Sequence, residues 1–167
     1  MAVMVSNLRN AVTSHLETDC QALADYIAAV AEPLEGSKTA SQQLKTALQV
    51  LTPNQFPVPL IPGISGNAGY VAINPGNTAS GFASQYQDQI PNADQIHHFA
   101  AFFQLGFVYG AGVGSSAASW WEKLEGTSGN VGDINLGTVA SLIGAYVASG
   151  VLPVGEVADT IRGLLCK

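Results

Sequence analysis

Val5, Leu8, Val12, Leu16, Cys20, Leu23, Ile27, Val30 and Leu34 follow one another at steps of three or four residues. That spacing puts them on one face of a helix. It predicts an amphipathic helix over 5–34, which Pro33 and Gly36 bring to an end. Leu44, Leu48 and Leu51 repeat the spacing and predict a second helix over 39–51. Together the two read as an antiparallel helical hairpin filling residues 1–51.

The pattern then changes. Residues 52–78 contain five prolines, four glycines and four asparagines, including Phe-Pro-Val-Pro-Leu-Ile-Pro. Each proline lacks an amide donor and restricts the residue before it, so no helix can persist there. The stretch is too apolar for a solvated linker. It reads either as an extended connection packed over the helices or as a lid or binding loop, the usual role of long irregular segments in compact domains. A short hairpin near Gly69–Ile73 fits as well.

Helical spacing returns with Phe82, Tyr86 and Ile90, which predict a short helix over 78–90. After Pro91-Asn92-Ala93, a strongly apolar helix is expected from Asp94 to about Tyr109. Further helices are expected over 115–125, from an N-cap at Asp133 to about Ser149, and from Pro153 to the C-terminal region. The fold class is therefore all-α: a compact bundle of about six to seven helices in a single domain, 1–167. Residues 79–167 form its helical core.

Gly106, Gly110 and Gly114 recur every four residues, as do Ala140, Gly144 and Ala148. A glycine inside a helix costs about 1 kcal/mol relative to alanine, and close approach of two backbones is the usual compensation. A tightly crossed Gly/Ala-rich central helix pair is expected. Gly-Ala-Gly-Val-Gly at 110–114 also resembles a loop, which would end the helix near Gly110. Residues 99–121 and 134–154 are long enough to cross a membrane. Their Gly, Ser, Asn and Gln content and the absence of basic flanks argue instead for a buried hairpin and against an integral membrane protein.

Charged residues make up only 11% of the chain and the net charge is −6. Six scattered basic residues form no cluster that could displace counterions, which excludes nucleic acid as a natural partner. The N-terminus has no basic flank followed by an apolar stretch and is not a signal peptide as it stands. A soluble chain is expected, with secretion left open. Cys20 and Cys166 sit near opposite ends. Bridged, they would close a very long loop and stabilise by about 3–5 kcal/mol; two buried free thiols fit the sequence equally well.

Against this charge-poor background, Asp94, His97, His98, Glu122, Glu125 and Asp133 all fall within 40 residues, amid long uncharged runs. Ionisable groups in apolar helices are costly unless paired, so they mark a structural network or a site. Asp94 and His98 would share a helix face one turn apart, with the carboxylate orienting the imidazole; His97 points about 100° away. Glu122, Glu125 and Asp133 lie on the next two helices. A structural reading makes Asp94 and Asp133 N-caps and His98 a satisfied core histidine. A catalytic reading uses a glutamate as acid with an Asp or His partner. A metal reading uses His97 or His98 with carboxylates. The sequence requires no cofactor, and a divalent metal is compatible with it. There is no His-Glu-x-x-His, no Cys-x-x-Cys, no P-loop and no Gly-x-Ser-x-Gly elbow.

Asp94-Gln95-x-His97-His98-Phe99, the glycine-rich helix after it, a glutamate at 122–125, Gly132-Asp133-Ile134-Asn135-Leu136 and Ala158-Asp159-x-Ile161-Arg162-x-x-x-Cys166 carry a resemblance. Over residues 92–166 the chain resembles a group of bacterial all-α domains, some found at the ends of secreted and polymorphic-toxin proteins. His97 stands where that pattern has arginine. The resemblance implies a polar centre on Asp94, His98 and Asp133 and attaches no reaction to it.

Three functional expectations follow. The first is a small helical hydrolase-like domain: Asp94-oriented His98 as base or ligand, Glu122 or Glu125 as acid, Asp133 as second carboxylate, and residues 52–78 with Trp120 and Trp121 shaping the cleft. The second is a non-catalytic interaction module with a buried polar packing cluster, docking a protein partner. The third is a membrane-active helical protein. Substrate, small-molecule or protein partner and oligomeric state are not encoded in any motif.

Overall fold

A computed structural model describes residues 18–52, 80–87, 95–124 and 130–167. Within them the fold is all-α, as expected, with six α-helices: α1 Asp19–Ala31, α2 Ala40–Gln49, α3 Gln95–Tyr109, α4 Ala111–Leu124, α5 Val131–Ser149 and α6 Val157–Leu164. Short 3-10 turns at Glu32–Leu34, Ser84–Tyr86 and Val154–Glu156 join or flank them. The connection expected at 52–78 lies outside the described residues apart from Thr52, and so does the N-terminal part of the expected hairpin.

The first helix differs from the expected continuous one over 5–34. It starts at Asp19, because Thr18 is extended (φ −75°, ψ 159°) and its hydroxyl accepts the amide of Gln21. This is an N-cap, and it outweighs an apolar repeat that runs on through it. α1 and α2 meet through buried Leu23, Ile27, Leu44 and Leu48 and a bond from the Tyr26 hydroxyl to the Ala47 carbonyl, 2.9 Å. Burial pushes that phenol up to about 12.

The helix expected over 78–90 is corrected over residues 80–87; 78–79 and 88–90 lie outside the described residues. Residues 80–83 are not helical, Ser84–Tyr86 form only a 3-10 turn, and Phe82 pairs with Cys166 in an isolated antiparallel bridge. Ala83 N–H donates to the Leu165 carbonyl at 2.7 Å and Lys167 N–H to the Gly81 carbonyl at 2.9 Å. Gly81 has φ +66° and lies directly against the Thr18 side chain, where no other residue fits without displacement. The fully buried Phe82 anchors this segment in the core, so the four-residue aromatic spacing reports burial rather than helix. Beside it Cys20 and Cys166 form a disulfide, resolving the two alternatives.

The centre of the molecule is the three-helix unit α3–α4–α5. Gly110 (φ +86°) breaks the chain between α3 and α4, so α4 begins at Ala111, earlier than expected, and Gly112 and Gly114 are helical. α3 and α5 cross with their backbones in contact: Gly106 lies on the Ser141 backbone and Gly144 on the Phe103 carbonyl. The Ser141 hydroxyl faces the carbonyls of Gly137 (2.8 Å) and Phe102 (3.1 Å). The expected central seam therefore exists, with Gly137 and Ser141 in place of Ala148, which is exposed. Among the described residues α5 alone is long and apolar enough to cross a membrane, and its Leu136, Ala140, Ile143 and Val147 are buried in this core.

Candidate functional site

The small residues that let these helices approach also determine where the polar ones go. Residues four apart share a helix face. His98, Phe102 and Gly106 form one such row on α3; Gly114, Ala118 and Glu122 form one on α4; Asp133, Gly137 and Ser141 form one on α5. Gly106 and Gly114 both abut Ser141, while Gly137 lies among Ala118, Phe102 and His98. The three rows thus face one another. Because the helices alternate in direction, the N-terminal end of α3, the C-terminal end of α4 and the N-terminal end of α5 carry their polar residues to the same place. One ring nitrogen of His98 and one carboxylate oxygen each of Glu122 and Asp133 lie within 4.8 Å of one another.

His98 is held on both sides of its ring. Its Nε2 is 2.8 Å from the Asp133 carbonyl oxygen. A carbonyl only accepts, so Nε2 carries the proton and Nδ1 the lone pair. The ring also packs against Phe102, tilted by 39° with centroids 4.5 Å apart. A Cβ at Gly137 would fall 3.0 Å from His98 Nε2 and 2.8 Å from the Ala118 Cβ, so glycine there makes room for the imidazole. Burial pushes the His98 pKa down to about 4, against the raising effect of the Asp133 carbonyl; the ring is neutral at pH 7. Glu122 is 1% exposed, and buried Asn130 donates from Nδ2 to Asp133 Oδ2 at 2.6 Å.

Of the expected site residues, His98, Glu122 and Asp133 are brought together. Asp94 and Glu125 lie outside the described residues. Asp133 is not an N-cap: Asn130 occupies that position and Asp133 sits in the first turn of α5. His97 is not part of the cluster. It points to the opposite side of α3, where Nδ1 meets the Leu51 carbonyl, and burial pushes its pKa down to about 4. Two turns along the same face, Gln104 Nε2 reaches Thr52 Oγ1. His97 and Gln104 thus receive the chain as it leaves α2. Trp120 is 54% exposed and Trp121 packs against the core, so the pair does not act together on one wall.

Asn130 and Gly137 escaped the sequence reading. The Asn130–Asp133 spacing at the start of an apolar helix was an available signal. So was the Gly114-Ala118-Glu122 row, which separates Glu122 from Glu125 by placing it on the small-residue face. The chain matches no protein-family model, and neither the curated proteins nor the solved structures give a significant match.

Proposed function

We propose that this is a small helical hydrolase-like domain whose working groups are His98, Glu122 and Asp133. The observation that carries the reading is the convergence of these three side chains from three helices to within 4.8 Å, in a chain where charged residues are only 11% of the total. His98 offers a lone pair on a ring whose tautomer is set, able to orient or accept a proton from a water. In this reading buried Glu122 is the acid that protonates a leaving group, and Asp133 is the second carboxylate. The resemblance of residues 92–166 to bacterial domains at the ends of secreted and toxin proteins supports a centre at this place. The Cys20–Cys166 bridge supports an oxidising compartment.

The test is a set of chromogenic esters, phosphate mono- and diesters and glycosides of p-nitrophenol. Wild-type turnover of one class should fall by about 10²-fold or more in kcat/KM in His98→Ala and Glu122→Gln, with helical circular dichroism unchanged. Turnover equal in wild type and both variants removes the hydrolase.

A second reading is favoured by the bond from His98 to the Asp133 carbonyl, which ties α3 to α5, and by the near-complete burial of Glu122. In it the cluster is packing, and the domain is a non-catalytic interaction module. His98→Ala would then cost about 2–4 kcal/mol of stability and leave no activity to lose. Chemical denaturation of that variant separates the two.

A further inference from the structure

We propose that the His98–Glu122–Asp133 centre binds one divalent cation of the zinc–manganese class, through a ring nitrogen of His98 and one oxygen from each carboxylate. The inference rests on the reading of these residues as a hydrolytic centre and changes their parts in it: with an ion bound, His98, Glu122 and Asp133 serve as ligands, and activation of water would pass from the imidazole to the ion. Its first support is the donor set. One imidazole and two carboxylates, from three separate helices, reach within 4.8 Å of one another. Ligand atoms around an ion bound at about 2.1 Å stand about 3.0–3.5 Å apart, a spread that small rotations of the two carboxylates close.

The second support is the layer around the donors. Metal-bound histidines nearly always give their other ring N–H to a carbonyl or carboxylate, which fixes the tautomer, and ligating carboxylates are themselves hydrogen-bonded. Here His98 gives its Nε2–H to a backbone carbonyl, which makes Nδ1 the nitrogen left for an ion, and Asp133 Oδ2 accepts from buried Asn130, a residue outside the donor set. Gly137 supplies the third element: any side chain there would press on the imidazole and on Ala118. Glu122 is nine-tenths buried and more, at the end of the α4 row that faces α5. The donors are held by a rigid helical seam rather than by loops.

The chemistry of the donors selects the ion. Imidazole nitrogen suits zinc, iron or nickel better than calcium or magnesium, which take oxygen donors almost exclusively, and the two carboxylates admit manganese as well. Three protein donors leave positions open for water, as in catalytic rather than structural sites.

The experiment is isothermal titration of the full chain, freed of metal with chelator, using Zn2+, Mn2+ and Ca2+ in turn. One Zn2+ or Mn2+ per chain is expected, with affinity lowered at least tenfold in His98→Ala, Glu122→Gln and Asp133→Asn and unchanged in Asp159→Asn. Ca2+ should bind at least tenfold more weakly. Should a variant fail to fold, paramagnetic broadening by Mn2+ in the wild-type protein serves instead, and should fall on the His98 ring protons before those of His97. Absence of binding at millimolar metal, binding indifferent to all three substitutions, or broadening spread evenly over both rings overturns the proposal. Hydrolysis that survives exhaustive chelation while still needing His98 also overturns it, yet keeps the acid–base centre. A bound ion with no turnover of any ester, phosphate or glycoside supports the metal site while removing the hydrolase.

Discussion

His97 and His98 are adjacent in sequence and opposite in role. One helical step turns their rings about 100° apart, so Nδ1 of His97 meets the Leu51 carbonyl on one side of α3 while Nε2 of His98 meets the Asp133 carbonyl on the other. Each carbonyl dictates the tautomer, and the two rings carry their protons on different nitrogens. His97 has its folded pKa lowered from 6.5 to about 4 by burial. The folded state therefore binds fewer protons than the unfolded one between those values, and stability present above pH 6.5 is lost as pH falls through 4. Replacing His97 by Asn keeps a donor toward Leu51 and removes the titration. Urea unfolding at pH 7.5 and 4.5 should show the wild type losing about 2–3 kcal/mol more than His97→Asn on acidification.

Asp19 works in the opposite sense. It is 3% exposed, its Oδ1 is buried without a hydrogen-bond partner, and burial raises it from 3.8 to about 6. The N-terminal end of α1 favours the anion and offsets part of that cost. A raised carboxylate pKa means that the folded state gains protons first, so the penalty is absent below pH 3.8 and full above pH 6. Asp19→Asn should stabilise the protein at pH 7.5 by about 1–2 kcal/mol and change little at pH 3.5. An equal effect at both pH values would show that the buried charge is not the cause.

At the scale of elements, the decisive feature is that α3, α4 and α5 touch through residues with little or no side chain. Gly144 lies against the Phe103 carbonyl and the Phe107 amide, and Gly106 against the Ser141 backbone. A methyl at either place meets backbone, which cannot rotate away. Gly144→Ala and Gly106→Ala should each destabilise by about 2–4 kcal/mol despite better helix propensity. Gly112→Ala, with nothing within 4 Å, should stabilise by up to about 1 kcal/mol. Thermal unfolding of the three variants checks the contrast. Because the same rows carry His98, Glu122 and Asp133, a shift in the seam moves the centre as well. Gly106→Ala, remote from the ring, should therefore weaken metal binding, whereas Gly112→Ala should leave it unchanged.

For the whole molecule, the closing device is at the C-terminus. Cys166 bonds Cys20 at the start of α1, a sequence separation of 146 residues, with Cα atoms 5.6 Å apart. Around it Phe82 pairs with Cys166 and Cys20 N–H donates to the Ser80 carbonyl. Arg162 on α6 adds ion pairs to Asp25 on α1 and to Asp159, both partly solvated and so of small weight. The covalent link dominates. In the loop-entropy description, a closure of this length contributes about 5 kcal/mol. Reduction, or Cys166→Ser, should lower the unfolding midpoint sharply, with α6 the first helix to lose amide-exchange protection.

The helical class, the positions of α2, α3, α5 and α6 and the expectation of a close-packed central pair were legible because apolar spacing and glycine punctuation are local properties of the chain. Position 18 shows the limit even there: one threonine cap stops a helix that the repeat of leucines and valines carries through. The Phe82 segment shows another, since an irregular stretch that ends in a 3-10 turn sets Phe82 and Tyr86 against the core as a helix would, and only its partners at 165–167 decide between them. Within the centre, the sequence narrowed the candidates to Asp94, His97, His98, Glu122, Glu125 and Asp133, because charge is rare in this chain and its isolated occurrences stand out. For catalysis it preferred His98, one turn from Asp94, but as metal ligands it left His97 and His98 undivided. That division belongs to the tertiary structure, where the direction of each ring follows from which neighbour offers a carbonyl and the meeting of three acid and imidazole groups follows from backbones crossing at glycine. Local composition can say which residues are costly to bury; only the packing of one helix on another determines what they are buried against.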